Sequence, residues 1–488
     1  MVEIIRLLLG WFDQFVLIYF LLFNSIFLVL VVAGGVEVIR ARRQVQPISL
    51  DEVFAYPLTP SISVVVPAFN EELSIIDSVH GMLNLRYPSH EVIVVDDGST
   101  DRTFALMDAE FDLEPCEVSI DESINVLAPI LGTYRSRVDS RLIVVRKVNA
   151  GTRSDAVNAA LAVAKQPLVC MTDADSIFDP DALLLVARAY LRDPERTVGV
   201  GGTIRAVNGS SVTRGYLEDA KAPTTWTARI QVVEYLRSFL LGRVAWSRMK
   251  ALIIVSGAFG VYRRELLSEL GGLDPEALAE DAELVVRVHK HMRDSGREYR
   301  LAFLPDPVCW TEVPNSLKQL AKQRRRWSRG LAEVLWLHRR MIFNPRYGRI
   351  GMLALPYYLF FELLGAIVEF VGVAAVLLGF ALGLVNTSMA IIVAIVALLY
   401  ATVLSAVTIL IEEFSYRRYT HPRDLFMVAI ASLIEIFGFR QIHAYWRTHG
   451  LISALRRTES TWEKPDREGF SSPGTAARAT ASTVVLDA

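Results

Sequence analysis

The chain has 488 residues, more than one small domain needs, and 52% of them are apolar. Its formal net charge is −2, from 51 basic and 53 acidic residues, which excludes a global electrostatic footprint for nucleic acid. Three cysteines, Cys116, Cys170 and Cys309, are odd in number and widely spaced. They fit neither a disulfide framework nor a zinc site, so a reducing compartment is expected.

Residues 15–36 form an apolar run long enough to cross a bilayer, at roughly 20 residues per helical span. The run is too long for a signal-peptide core and lacks a small-residue cleavage site, although an uncleaved signal anchor would share both features. Arg40, Arg42 and Arg43 follow it and only Arg6 precedes it. By the positive-inside rule the segment that follows is cytoplasmic.

Between residues 61 and 343 the pattern changes. Short β-branched runs at 62–66, 92–95, 142–145 and 168–171 alternate with helical stretches, which predicts a mostly parallel sheet wrapped by helices. In such sheets ligands sit outside the carboxyl ends of the strands. The first, second and fourth runs end in Pro67-Ala68-Phe69-Asn70-Glu71-Glu72, Asp96-Asp97-Gly98-Ser99-Thr100-Asp101 and Thr172-Asp173-Ala174-Asp175-Ser176. All three polar clusters are therefore expected on one sheet edge. Residues 110–140 read as an extended insertion with no assigned chemistry.

Two carboxylates two apart at a strand end, Asp173 and Asp175, can reach one hard cation, Mg²⁺ or Mn²⁺, with diphosphate oxygens completing its shell. A solvated turn is the bland alternative. Asp97 can accept hydrogen bonds from a nucleobase or ribose, while Gly98 permits a tight turn; the turn alone would also explain the motif. Glu280-Asp281 before a helix is either a charge pair on the macrodipole or a general base for a sugar hydroxyl.

On the helix carrying Gln323-Arg324-Arg325-Arg326-Trp327, the spacing puts Gln323, Arg326 and Trp327 on one face. Arg326 suits a diphosphate and Trp327 the apolar face of a sugar. An interfacial helix, with its arginines at lipid phosphates, is the competing reading.

Two further spans are expected at residues 359–384 and 389–411, separated by a turn at 385–388, with Arg417, Arg418 and Arg423 behind them. Residues 425–439 are short and carry Glu435. Because a crossing there would put Arg440, Arg447, Arg456 and Arg457 outside, a re-entrant or interfacial segment is expected. Glu362 and Glu369 either line a polar path or pair with arginines of neighbouring helices. Residues 471–488, rich in Ala, Thr and Ser, read as a disordered tail.

Taken together these motifs, in this order with Ser256-Gly257-Ala258-Phe259-Gly260 between them, resemble the membrane-integrated family-2 glycosyltransferases. That group holds the cellulose, chitin, hyaluronan and poly-N-acetylglucosamine synthases. The resemblance covers residues 61–343 and extends through Gly438-Phe439-Arg440-Gln441 and Tyr445-Trp446-Arg447 to Trp462 and Arg467. It implies an α/β GT-A (Rossmann-like) cytoplasmic domain joined to an α-helical transmembrane region in a multi-pass plasma-membrane protein.

The implied division is an anchor at 1–43, the catalytic domain at 61–343, further membrane or interfacial helices at 344–468, and a tail at 469–488. The implied donor set is Ala68, Asn70, Glu72, Asp97, Arg153, Asp173, Gln323 and Arg326. The implied acceptor set is Ser256, Gly257, Ala258, Phe259 and Trp327. Asp281, backed by Glu280, would act as base, and Asp175 with Asp173 would hold Mg²⁺ or Mn²⁺. One departure stands out: Asn149-Ala150-Gly151-Thr152-Arg153 carries Arg where the family has Lys, with one extra residue. Arg keeps the charge but changes reach and fork geometry.

The leading expectation is a processive synthase that takes a UDP-sugar, extends a β-linked glycan and passes it through the bilayer. Transfer of one sugar to a lipid or short acceptor is the second reading. A non-catalytic membrane scaffold is the third. The sequence names no accessory or export subunit.

Overall fold

A computed structural model describes residues 2–43, 48–383, 387–416 and 422–456. Residues 384–386, Arg417, Arg418, Arg457, Trp462, Arg467 and the tail 469–488 lie outside the described residues, while Thr387 and Ser388 of the turn expected at 385–388 begin the helix Thr387–Ser415.

The strands in chain order are β1 (Ile62–Ala68), β2 (His90–Asp96), β3 (Leu113–Pro115), β4 (Ile130–Ser136), β5 (Leu142–Lys147) and β6 (Leu168–Thr172). They continue as β7 (Ile177–Phe178), β8 (Thr197–Ala206), β9 (Ser211–Thr213), β10 (Tyr216–Asp219), β11 (Phe259–Arg263) and β12 (Arg300–Thr311). β9 and β10 pair with each other; the other ten form one sheet in the order β3-β4-β5-β2-β1-β6-β11-β8-β12-β7.

The four β-branched runs lie within β1, β2, β5 and β6, which are mutually parallel in the order β5-β2-β1-β6. Their near-continuous apolar character suits strands covered on both faces, and all of β6 is buried. Beyond this block the sheet is mixed. β11 runs antiparallel to both β6 and β8, and β8 runs parallel to β12. Phe259, the first residue of β11, pairs with Thr172, the last of β6. That register sets Ser256, Gly257 and Ala258 against the edge where Asp173 leaves the sheet. The 110–140 insertion extends the other sheet edge, since β3 and β4 add antiparallel strands beyond β5.

Three helices frame the carboxyl edge of the sheet. Arg153–Val163 begins at Thr152, whose hydroxyl accepts from the Asp155 N–H. Glu280–Asp294 carries acidic residues in its first turn, the favourable end for them. Leu317–Leu337 is capped by Ser316, which accepts from the Gln319 N–H. Gly330 lets this last helix approach the start of Glu280–Asp294: a Cβ there would lie 2.6 Å from the Ala279 Cβ.

Among the described residues three helices are long and apolar enough to cross a membrane: Gly10–Arg43, Ile350–Ala381 and Ala394–Ser415. They coincide with the three expected spans. The segment at 425–439 is not among them; it continues the helix Pro422–Ile434 through Glu435–Phe439 into Arg440–Leu455. Glu435 is ion-paired with Arg237. Arg440–Leu455 packs along Leu317–Leu337.

Candidate active site

At the ends of β1 and β2, Asn70 adopts φ 56°, a left-handed conformation that Asn tolerates better than most residues. Its side-chain oxygen accepts from the Thr100 N–H at 2.7 Å, and its own N–H donates to Ser99 Oγ at 3.0 Å. Glu72 accepts from the Arg102 N–H at 3.3 Å, and the Ala68 carbonyl accepts from the Asp97 N–H at 2.9 Å. These three residues therefore tie the β1 loop to the β2 loop.

Asp97 accepts from Lys147 Nζ at 2.7 Å. Lys147, at the end of β5, is fully buried and also pairs with Asp155 at 2.7 Å. Burial pushes the Asp97 carboxyl up, while Lys147 pulls it down. Sequence reasoning missed Lys147 and Asp155. Their available signals were a lysine closing an apolar strand and an aspartate inside an Ala-rich helix.

Arg153, Asp173, Asp175, Ser256, Gly257, Ala258, Glu280, Asp281, Gln323, Arg326 and Trp327 line a single cavity of about 1630 Å³. Arg153 links several of these residues. Its Nε donates to Asp173 Oδ1 at 2.8 Å and its Nη1 to Glu280 Oε1 at 2.9 Å. Its Nη2 donates to the Gly257 carbonyl at 2.9 Å and the Thr172 carbonyl at 3.2 Å, and lies 2.7 Å from Asp173 Oδ1. Burial pushes the Glu280 carboxyl up against the pull of Arg153. Asp281 Oδ2 accepts from the Gly257 N–H at 3.2 Å, beside the expected acceptor segment.

Ala68, Asn70, Glu72 and Asp97 stand on the same sheet edge but do not line this cavity. Phe259 corrects the expected acceptor set. It is 0% exposed and packs 5.1 Å from the Phe178 ring. As the first residue of β11 it points into the core, because neighbouring strand residues face opposite ways.

On Leu317–Leu337, Gln323, Arg326 and Trp327 line the cavity, and so do Arg324 and Arg325, so the lining does not single out one face of the helix. Arg324 is buried and donates to Glu234 at 2.6 Å, with its guanidinium 4.6 Å above the Trp327 ring. Glu234 was invisible to motif reading, and it fixes the arginine that braces the indole. Trp327 remains 40% exposed. The Gln323 side-chain oxygen is buried with no hydrogen-bond partner among the described residues, so it can accept from a bound hydroxyl or amide. Arg243, stacked 3.7 Å over Phe239, adds a further cation to the wall; burial pulls it down to about 10.

The same cavity continues among the apolar helices, past Tyr19, Phe20 and Phe23 of the first span and Glu362 and Glu369 of the second. Glu362 pairs with Arg447 at 3.1 Å and Glu369 with Arg440 at 2.8 Å. Both alternatives for these glutamates hold at once: they line the cavity and are paired.

Residues 60–330, just over half of the chain, match the family model described as glycosyltransferase like family 2. The chain belongs to glycosyltransferase family 2. Residues 277–459 also match a chitin synthase model, which carries the resemblance beyond the catalytic domain.

A probable glycosyltransferase, YdaM, of Bacillus subtilis is 29% identical over 315 residues, covering 62% of this chain and 63% of the relative. The poly-beta-1,6-N-acetyl-D-glucosamine synthase of Staphylococcus epidermidis is 26% identical over 274 residues, covering 56% of this chain and 55% of the relative. The chain thus spans less than two thirds of the length of these curated relatives, 63% of one and 55% of the other. Among solved structures, the mannosyltransferase PcManGT of Pyrobaculum calidifontis, in complex with GDP-Man and Mn²⁺, superposes with a TM-score of 0.51 at 18% identity. The match covers 91% of this chain and all of that one, and shows the GT-A fold.

For this family-2 chain the oxygen donors in the cavity wall suit a divalent cation better than a soft metal. Among the described residues no group of three or more His, Cys, Asp or Glu side chains is placed to hold a metal ion by itself. Asp173 and Asp175, two carboxylates on one cavity wall, would fit such a cation only with its remaining ligands supplied by diphosphate and water. Both Arg153 nitrogens engage Asp173 through Oδ1, which keeps Oδ2 outside that pair.

Proposed function

We propose that the chain is an inverting glycosyltransferase that extends a β-linked glycan from a UDP-sugar and passes the product into its membrane helices. The observation that carries this reading is the continuity of one cavity from Asp173, Asp175 and Asp281 to Tyr19, Glu362 and Glu369.

Asp281 is the base. Its carboxylate takes the proton of the acceptor hydroxyl as that oxygen bonds to the anomeric carbon. The bond from that carbon to the diphosphate oxygen breaks on the opposite face, and its electron pair leaves with UDP. One displacement inverts the centre. Arg326 lies in the same wall and offsets charge on the departing diphosphate. Trp327, braced by Arg324, offers its other face to the acceptor sugar. The Gln323 carbonyl accepts from a donor hydroxyl. A cation held by Asp175 and Asp173 would neutralise diphosphate charge.

Asp97 with the tied β1 and β2 loops forms the nucleoside side of the donor site. Arg40, Arg42 and Arg43 at the end of the first helix support a cytoplasmic catalytic face by the positive-inside rule. The ion-paired glutamates keep the membrane half of the cavity polar at a tolerable electrostatic cost.

A second reading, transfer of one sugar to a lipid, is favoured by the apolar part of the wall, where Phe20, Val376 and Leu377 could seat an acyl or isoprenoid tail. Membranes carrying the protein, incubated with UDP- and GDP-sugars with and without chelator, separate the readings. The proposal expects metal-dependent nucleotide release from a UDP-sugar and a polymer cleaved by β-specific glycosidases. A product of one sugar on an organic-soluble lipid would replace it with the second reading. Release of no nucleotide from any donor would refute both.

A further inference from the structure

We propose that Arg153 is a positioning residue, a bracket that joins the donor-side carboxylate Asp173 to the base-side carboxylate Glu280, and not the ligand of the donor phosphates. The inference rests on the transferase reading above and goes beyond it. It also gives a physical reason for arginine at this position.

The guanidinium is engaged by protein on every nitrogen. Nε and Nη2 hold Asp173 Oδ1 at 2.8 and 2.7 Å, and Nη1 holds Glu280 at 2.9 Å. Nη2 also reaches the carbonyls of Gly257 and Thr172. Two carboxylates and two carbonyls engage all three nitrogens, so turning the fork onto a diphosphate would require breaking contacts already made inside a buried site.

The four partners belong to three separate pieces of the fold. Thr172 and Asp173 close β6, Gly257 leads into β11, and Glu280 opens the helix whose second residue is Asp281. Asp281 in turn accepts from the Gly257 N–H, so the bracket and the base share Gly257. A Cβ on Gly257 would meet the guanidinium at 3.5 Å, so the planar group lies directly over that residue.

Only a fork can hold this arrangement. Lysine presents one nitrogen at the end of a flexible stem and cannot span Asp173 and Glu280 while also bonding both carbonyls. A base displaced by about 1 Å can lose about 10² in rate without any change in what binds.

The test compares Arg153→Lys and Arg153→Gln with the unaltered protein in detergent. It reads UDP and GDP affinity in Mn²⁺ by calorimetry, kcat and KM for the donor, and the partition of donor between transfer and hydrolysis. The bracket predicts that both variants keep nucleotide affinity within about threefold and lose about 10–10² in kcat for transfer, with water taking a larger share of the donor. Arg153→Lys should recover little of this, because its charge survives and its fork does not.

Nucleotide affinity falling more than tenfold in Arg153→Gln and returning in Arg153→Lys would make Arg153 a phosphate ligand and overturn the proposal. So would unchanged kcat in Arg153→Lys. If the unaltered protein transfers no sugar, the transferase reading fails on its own. The binding measurement still decides whether Arg153 holds phosphate.

Discussion

Lys147 is fully buried between Asp97 and Asp155, and each carboxylate is 2.7 Å from its ammonium. Removing the cation leaves two buried like charges facing each other, a situation that typically costs about 3–5 kcal/mol. Lys147→Met should therefore lower the thermal midpoint sharply, and adding Asp155→Asn should recover part of the loss. A Lys147→Met protein as stable as the parent would show that this triad is solvated and structurally idle. At Trp327 the expectation is functional. Its ring is braced on one face by Arg324 and exposed overall, so Trp327→Ala should lose polymer synthesis while keeping UDP affinity and thermal stability. Trp327→Tyr should keep part of the activity, because a smaller ring still covers part of a sugar. Normal polymer formation by folded Trp327→Ala would remove this residue from the acceptor site.

The elements meet through close backbone contacts. A Cβ on Gly450 would lie 2.4 Å from the Arg325 carbonyl oxygen, so the helix Arg440–Leu455 touches the backbone of Leu317–Leu337 beside Arg326 and Trp327. Gly450→Ala must push the two helices apart, since backbone cannot yield as a side chain can. Transfer should fall at least about tenfold, given how steeply rate depends on placement. Gly10→Ala is the control, because no described atom lies within 4 Å of its added Cβ. Equal activity in both variants would mean that this helix contact does not set the site.

The same elements show where sequence was informative. β1, β2, β5 and β6 were legible because buried parallel strands read as unbroken β-branched runs, and their polar ends located the sheet edge. The reversal at β11 was not, because strand direction depends on where the chain re-enters the sheet. Phe259 was misplaced for that reason, its motif lying half in the loop and half in the strand. Lys147, Asp155 and Glu234 were missed because each acts through a partner far along the chain, and spacing carries no record of such pairs. Arg153 was noticed as a departure, but its partners at Asp173, Gly257 and Glu280 became visible only with the fold.

At the scale of the whole molecule, one cavity joins the carboxylates at the sheet edge to the apolar helices. Among the apolar helices it is lined by glutamates that are themselves paired, Glu362 with Arg447 and Glu369 with Arg440. Under the proposed function it would serve as a path for a hydroxyl-rich chain, which needs hydrogen-bonding walls without unpaired charge. Everything in the account depends on chemistry at Asp281. Its carboxylate accepts from the Gly257 N–H and the Ala282 N–H, and Asp281→Asn keeps size and one accepting oxygen while removing the proton acceptor. The decisive measurement is nucleotide release and sugar incorporation by Asp281→Asn beside the unaltered protein, with UDP affinity measured on both. The account predicts a loss of more than about 10² in transfer with UDP binding nearly intact. Undiminished transfer by Asp281→Asn would contradict it.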